Sequence, residues 1–227
     1  MAPARKTRAQ SSAPILTPKA AERRSALRVD LIVAAEKAIA AKGIPGLNAR
    51  DLAEAVGCSL GAIYNVFPHL DAIVFEVNSR TLALFEQFVA RRAKSREGID
   101  PAGSLVALAE AYFDFAVAHQ PRWRALFEHR VSSPGGVPDA YLADQARLFQ
   151  LVERPLAALR PDFDGKRRML FARTMFSAVH GIISLSLDAK LAALTVSVAG
   201  DQLRTFVGIV SAGLAVEAPS DRRSRRS

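Results

Sequence analysis

A single cysteine, Cys58, stands in the 227 residues, which excludes a disulfide framework and fits a reducing compartment. Placed after Gly57, it reads as a small packing group and not as a redox sensor. Long apolar runs are also missing. The best window, residues 31–41, is broken by Glu36 and Lys37, so no membrane-spanning segment is expected. The basic N-terminus lacks an apolar stretch and a small-residue cleavage site, which argues against a signal peptide and for a cytoplasmic protein. No P-loop, dinucleotide fingerprint, paired-carboxylate helix motif or zinc signature occurs. The four histidines have no metal-ligand spacing with one another or with Cys58, so neither metal nor cofactor is expected.

Acidic residues are in short supply, 22 against 31 Lys and Arg, for a net charge of +9. The imbalance sits at the ends. Arg5, Lys6, Arg8, Lys19, Arg23, Arg24 and Arg28 are opposed only by Glu22, and the last residues carry four arginines against Glu217 and Asp221. The body between is close to neutral. A basic arm beside a nucleic-acid-binding module would hold phosphates, although the C-terminal Arg-Ser run reads better as a solubilising tail.

What is present is apolar and helical. Half of the residues are hydrophobic, with Ala and Leu dominating over β-branched types, and the chain is long enough for one or two domains. An all-α architecture is expected. Residues 1–22, rich in Pro, Ala and Ser, read as a disordered arm. A helix follows from about 25 to 42, with Leu27, Leu31, Ala34, Ala35, Ala38 and Ile39 on one stripe and Gly43 at its end. Two short helices then fill residues 48–68. Asn48 caps the first and Asp51 completes a capping box. Gly57 supplies the positive-φ residue at its end. Ser59 caps the second helix, Ile63, Val66 and Phe67 are its core side, and Pro68 stops it. Neither helix would be stable alone. Packed on a third, they make a helix-turn-helix, whose second helix enters the DNA major groove. A long connector spans about 69–94.

The remaining chain reads as further helices: 100–118, opened by Asp100-Pro101; 121–130; one from about 138 that Pro155 kinks or ends; 165–191; and 198–214. Domain limits follow: an arm 1–22, a DNA-binding domain 23–71, a helical domain 72–216 and a tail 217–227.

The stretch AVGCSLGAIYNVFPHLDAI is similar to the signature of TetR/AcrR-type transcriptional regulators, with Gly57, Ser59, Gly61, Ile63-Tyr64 and Phe67-Pro68 at the matching positions. The likeness covers about residues 24–80. It implies that Asn48 and Arg50 lie near backbone phosphates, that Gly61 allows close approach to DNA, that Ala62 and Asn65 face bases, and that Tyr64 touches a phosphate. Arg28, Ser59, Leu60 and His69 complete the implied DNA-binding set. Asn65 has the amide suited to adenine. Two positions depart from the family: Leu60 and Leu70 stand where a cation is common, which leaves the recognition helix without one and shifts the load to Arg50, helix N-termini and the arm.

His119 to Phe127 and the triplet Val179-His180-Gly181 resemble the C-terminal domain class named for a Trp-His-Gly triplet. This implies a pocket for a small, mostly apolar effector, with Phe113, Trp123, Phe127, Met175, Phe176 and His180 as candidate lining residues, each of which could equally be plain core. The family further implies a homodimer through the last two helices, and the excess apolar surface of both agrees with it. The partners expected are therefore palindromic operator DNA, a second copy of the chain and an effector, with no membrane and no catalysis. Two other readings compete. Sequence-blind DNA coating is suggested by the tails, but needs no large apolar half. Gly57-Cys58-Ser59-Leu60-Gly61 also matches the G-x-S-x-G elbow of α/β-hydrolases, which requires a preceding strand.

Overall fold

Every regular element among the described residues is helical. The computed structural model describes residues 17–93, 100–132, 135–190 and 193–216. In chain order it has α1 (Pro18–Lys42), a 3-10 turn (Ile44–Gly46), α2 (Ala49–Val56), α3 (Leu60–Val66), α4 (Leu70–Ala93), α5 (Pro101–Ala118), α6 (Gln120–Glu128), α7 (Asp139–Leu159), α8 (Gly165–Leu187) and α9 (Val196–Val216). The all-α expectation is met.

The sequence-coded caps form as local chemistry dictates. Asn48 accepts a hydrogen bond from the Asp51 N–H at 2.9 Å. The Asp51 carboxylate in turn accepts from the Asn48 amide at 2.7 Å, a side-chain return instead of the backbone contact of a capping box. Gly57 ends α2 at φ 71°, ψ 36°, the left-handed region that a Cβ disfavours. The hydroxyl of Ser59 accepts from the Ala62 N–H, Asp100 from Gly103 and Asp164 from Arg167.

Two boundaries differ from expectation. α1 begins at Pro18, so residues 18–22, assigned to the arm, are helical. Thr17 is extended and proline occupies the first turn, where its missing N–H has no partner to lose. Residues 1–16 and the tail 217–227 lie outside the described residues, as do 94–99 between α4 and α5 and part of the loop after α6. α7 does not end at Pro155 but runs to Leu159. Proline removes one ladder bond, and the fully buried Leu156 beside it anchors the last turn.

α1, α2 and α3 close around one core. Leu31, Ile32 and Ile39 meet Leu52, Ile63, Val66 and Phe67, with Ile73 and Val77 from α4 and Ala125 from α6. Each large apolar side chain buried here contributes about 1.5–3 kcal/mol, which is what holds a seven-residue α3 in place. The second core lies among α5, α7, α8 and α9, with α4 and α6 at its edge. α8 is by length and composition apolar enough to cross a bilayer, although Arg and Ser interrupt its apolar positions. Here it packs against α7 and α9.

Candidate nucleic-acid interface and ligand cavity

α3 is divided sharply between its two sides. Ile63, Val66 and Phe67 are buried, whereas Leu60 and Tyr64 are about half exposed, at 48% and 47%. Gly61 and Asn65 are exposed, Ala62 partly so, and Asn48, Arg50 and Ser59 flank them at the surface. A Cβ built on Gly61 meets nothing within 4 Å. The fold itself therefore does not need a glycine there, although glycine costs about 0.5–1 kcal/mol relative to alanine inside a helix.

The other expected DNA-facing residues behave differently. His69 is part-buried, and its Nδ1 accepts from the Ala72 N–H at 3.1 Å as a cap on α4. That bond leaves the proton on Nε2. Arg28 is paired with Glu76 of α4 and stacks over the Phe67 ring at 4.5 Å, so it braces α1 against α4. Leu70, where the resemblance expects a cation, packs against the head core. Ser59, in the G-x-S-x-G match, sits between two helices with no strand before it and uses its hydroxyl as a cap, so the hydrolase elbow is not formed.

In the second core a cavity of about 310 Å³ opens among α4 to α9. Of the six expected effector residues, Trp123, Phe127, Met175 and Phe176 line it. Phe113 does not. It faces α9, where a Cβ on Gly200 would come within 3.3 Å of its ring. Its neighbour Tyr112 lines the cavity instead, because adjacent helix positions point about 100° apart. His180 is not among the lining residues either. It closes the wall from behind, with ring centroids 5.0 Å from Trp123 and 4.2 Å from Phe127. Sequence reasoning also missed α7, whose Tyr141, Gln145, Phe149 and Val152 line the cavity, because apolar residues on an amphipathic helix read equally as plain core.

The polar groups of the wall can be assigned. Burial pushes the Tyr112 phenol far above its ordinary value, with the Trp123 N–H acting the other way, and burial lowers the His180 imidazole. The Tyr112 hydroxyl and His180 Nδ1 share a hydrogen bond of 3.0 Å, whose donor is set by the imidazole tautomer. Burial pushes the Tyr141 phenol up, with Gln145 and Asn78 beside its hydroxyl acting the other way. The Trp123 indole N–H is fully buried, with the Tyr112 oxygen as its neighbouring acceptor.

α6 joins the two regions. Trp123 and Phe127 face the cavity, while Ala125 belongs to the head core and its carbonyl accepts from Asn78 Nδ2 of α4 at 3.3 Å. Arg122 reaches Glu36 of α1, which also accepts from Arg80. Just past α6, His129 Nε2 lies 2.8 Å from Asp71 in the first turn of α4, and that carboxylate also accepts from the Ser132 N–H and O–H at 3.0 Å. Ser132 and His129 both address the carboxylate and not each other, so the set is a latch and not a catalytic relay.

Residues 105–207 match the family model described as the tetracyclin repressor-like C-terminal domain. The Trp-His-Gly class stays a resemblance. Comparison with curated proteins found no match. Solved structures share the fold. A protein of unknown function from a Rhodococcus species is 23% identical with TM-score 0.65, covering 83% of this chain and 95% of its own. The TetR family transcriptional regulator PfmR from Thermus thermophilus is 20% identical with TM-score 0.54, covering 80% and 97%. RolR, solved in complex with its ligand resorcinol, is 18% identical with TM-score 0.55, covering 88% and 98%. Residues 105–207 thus carry a tetracyclin repressor-like C-terminal domain, and the chain shares the all-α fold of solved TetR family regulators.

Proposed function

We propose that the protein is a repressor that binds a palindromic operator as a homodimer through α3 and is released by a small, mostly apolar effector in the cavity. The observation that carries the reading is the face of α3. Tyr64, Asn65 and Gly61 lie on its exposed side, and Gly61 has open space where a side chain would be. A glycine the fold does not require, on an exposed helix face, suits a surface that something large must approach closely. Asn65 offers bidentate contact to adenine, and Arg50 and the His69 Nε2–H supply donors to phosphates.

The dimer surface would be the outer side of α8 and α9. Leu170, Leu185, Phe206, Ile209 and Val216 are exposed there, and a second copy would cover them about a twofold axis. Recognition helices so related would occupy successive major grooves about one helical turn of DNA apart. An effector entering beside Trp123 and Phe127 would displace α6, which grips α1 and α4. A ligand that binds better to the spacing unable to fit DNA then shifts the population off the operator. The fold neighbour RolR, crystallised with resorcinol, lends weight to a small-molecule site.

Selection of binding sites from random duplexes at near-physiological salt tests the reading. Recovery of one palindromic motif is expected. Recovery of only salt-sensitive, sequence-blind binding would overturn it in favour of charge-driven coating.

A further inference from the structure

We infer that Leu60 reads thymine, its side chain packing on the C5-methyl of one thymine in each operator half-site, so that α3 selects A·T pairs. The inference rests on the proposed reading of α3 as the DNA-contacting helix. Leu60 opens α3 and Leu70 opens α4, but their surroundings differ. Leu70 packs against the head core. Among the described residues Leu60 joins none of the hydrophobic cores, and it stays 48% exposed. A lone exposed leucine says little by itself. This one has company. Positions four apart on a helix are neighbours, so Leu60 lies beside Tyr64 and Gly61 beside Asn65, and all four are exposed. The surface is one aliphatic side chain, one phenol and one amide around a glycine with open space above it.

Base edges in the major groove differ in what they offer. Guanine presents two acceptors, N7 and O6, which Arg or Lys can bond together. Adenine presents an acceptor and a donor, which suit an amide, and thymine alone presents a methyl group. α3 holds no Lys or Arg, so it has no cation to offer guanine. Asn65 suits adenine. Leu60 suits the methyl, because contact removes apolar surface of both from water. The same leucine pressed on the edge of a G·C pair would strip water from hydrogen-bonding groups and give them no partner.

The test starts from the duplex recovered by selection from random DNA. Each thymine in turn is replaced by deoxyuridine, which removes the C5-methyl and keeps the base pairing. Affinity is measured by fluorescence anisotropy at a salt concentration low enough for every pair to bind. One position per half-site is expected to respond, by about fourfold, or about fifteenfold when both half-sites are altered. Because Leu60 is exposed, Leu60→Ala should fold, and it should bind the thymine and uracil duplexes alike while still selecting the rest of the motif. A uracil penalty that persists in Leu60→Ala would assign the methyl to another residue and overturn the inference. So would a motif whose half-sites hold no thymine sensitive to loss of its methyl. Complete loss of motif selection by Leu60→Ala would overturn the assignment of Leu60 to a single methyl. Recovery of no motif by the unaltered protein would overturn the inference together with the reading of α3.

Discussion

The two cores of this protein are built to different standards. The head core, from Leu31 through Ile63 and Phe67 to Val77, is filled by aliphatic and aromatic side chains from five helices and carries its working residues on the outside. The C-terminal core surrounds a cavity of about 310 Å³ lined by uncharged side chains. A closely filled core has one arrangement and holds a surface rigid. A core with a void can be completed by something from outside. α6, with Ala125 in one core and Trp123 and Phe127 at the cavity of the other, is where the two regions meet.

Phe67→Ala should disturb the contrast most, because it empties the better-filled core and removes the ring under Arg28. A loss of about 3–5 kcal/mol is expected, read as a lowered denaturation midpoint. An effect below about 1 kcal/mol would mean that the head relaxes as easily as the cavity domain. Next comes Tyr64→Ala combined with Asn65→Ala. Both residues are exposed, so stability should change by less than about 0.5 kcal/mol while operator affinity falls by about a hundredfold or more. Retained affinity would show that the reading surface lies elsewhere.

Deletion of residues 1–16, which stops short of α1, removes Arg5, Lys6 and Arg8. If all three touch phosphates in both copies of the dimer, the slope of log affinity against log salt should fall by about 5, measured by titration across salt concentrations. An unchanged slope would leave the arm without a role in binding. Gly61→Ala sharpens the comparison differently. It should be neutral to stabilising by up to about 1 kcal/mol and should still weaken operator binding. Unimpaired binding would remove the argument from close approach.

The smallest effect concerns the cavity wall. Burial holds His180 below its ordinary value of 6.5. As pH falls through 6.5 the unfolded chain binds a proton that the folded chain refuses. This contribution to stability is therefore present above 6.5 and lost below it, down to the folded value. His180→Gln should flatten the decline of melting temperature between pH 7.5 and 5.5. The remaining slope includes His119, which burial also lowers. An identical slope in the variant would mean that His180 titrates as if exposed.

Local features were legible in the sequence. The side chains of Asn48, Ser59 and Asp100 act on backbone atoms three residues on, and Gly57 supplies its own φ, so residue type and spacing determine the outcome. The core side of α3 followed from periodicity, since Ile63, Val66 and Phe67 must share one face. The helical stripe of α1 was equally plain, although its start at Pro18 was not, because a run of Ala, Arg and Glu supports a helix without marking its origin.

What only the tertiary structure decided depends on partners distant in sequence. Arg28 could have faced a phosphate, but Glu76, 48 positions away, engages it. Phe113 and Tyr112 are adjacent aromatics in one helix, and composition cannot say which of them turns toward the void. The burial of Asp71 beside His129 and Ser132 arises from how α4 and the segment after α6 come together. The sequence alone determined the helices, their caps and the side of α3 that faces inward, since these depend on short-range sterics and hydrogen bonds. The cavity was decided by packing, because a void belongs to no single element.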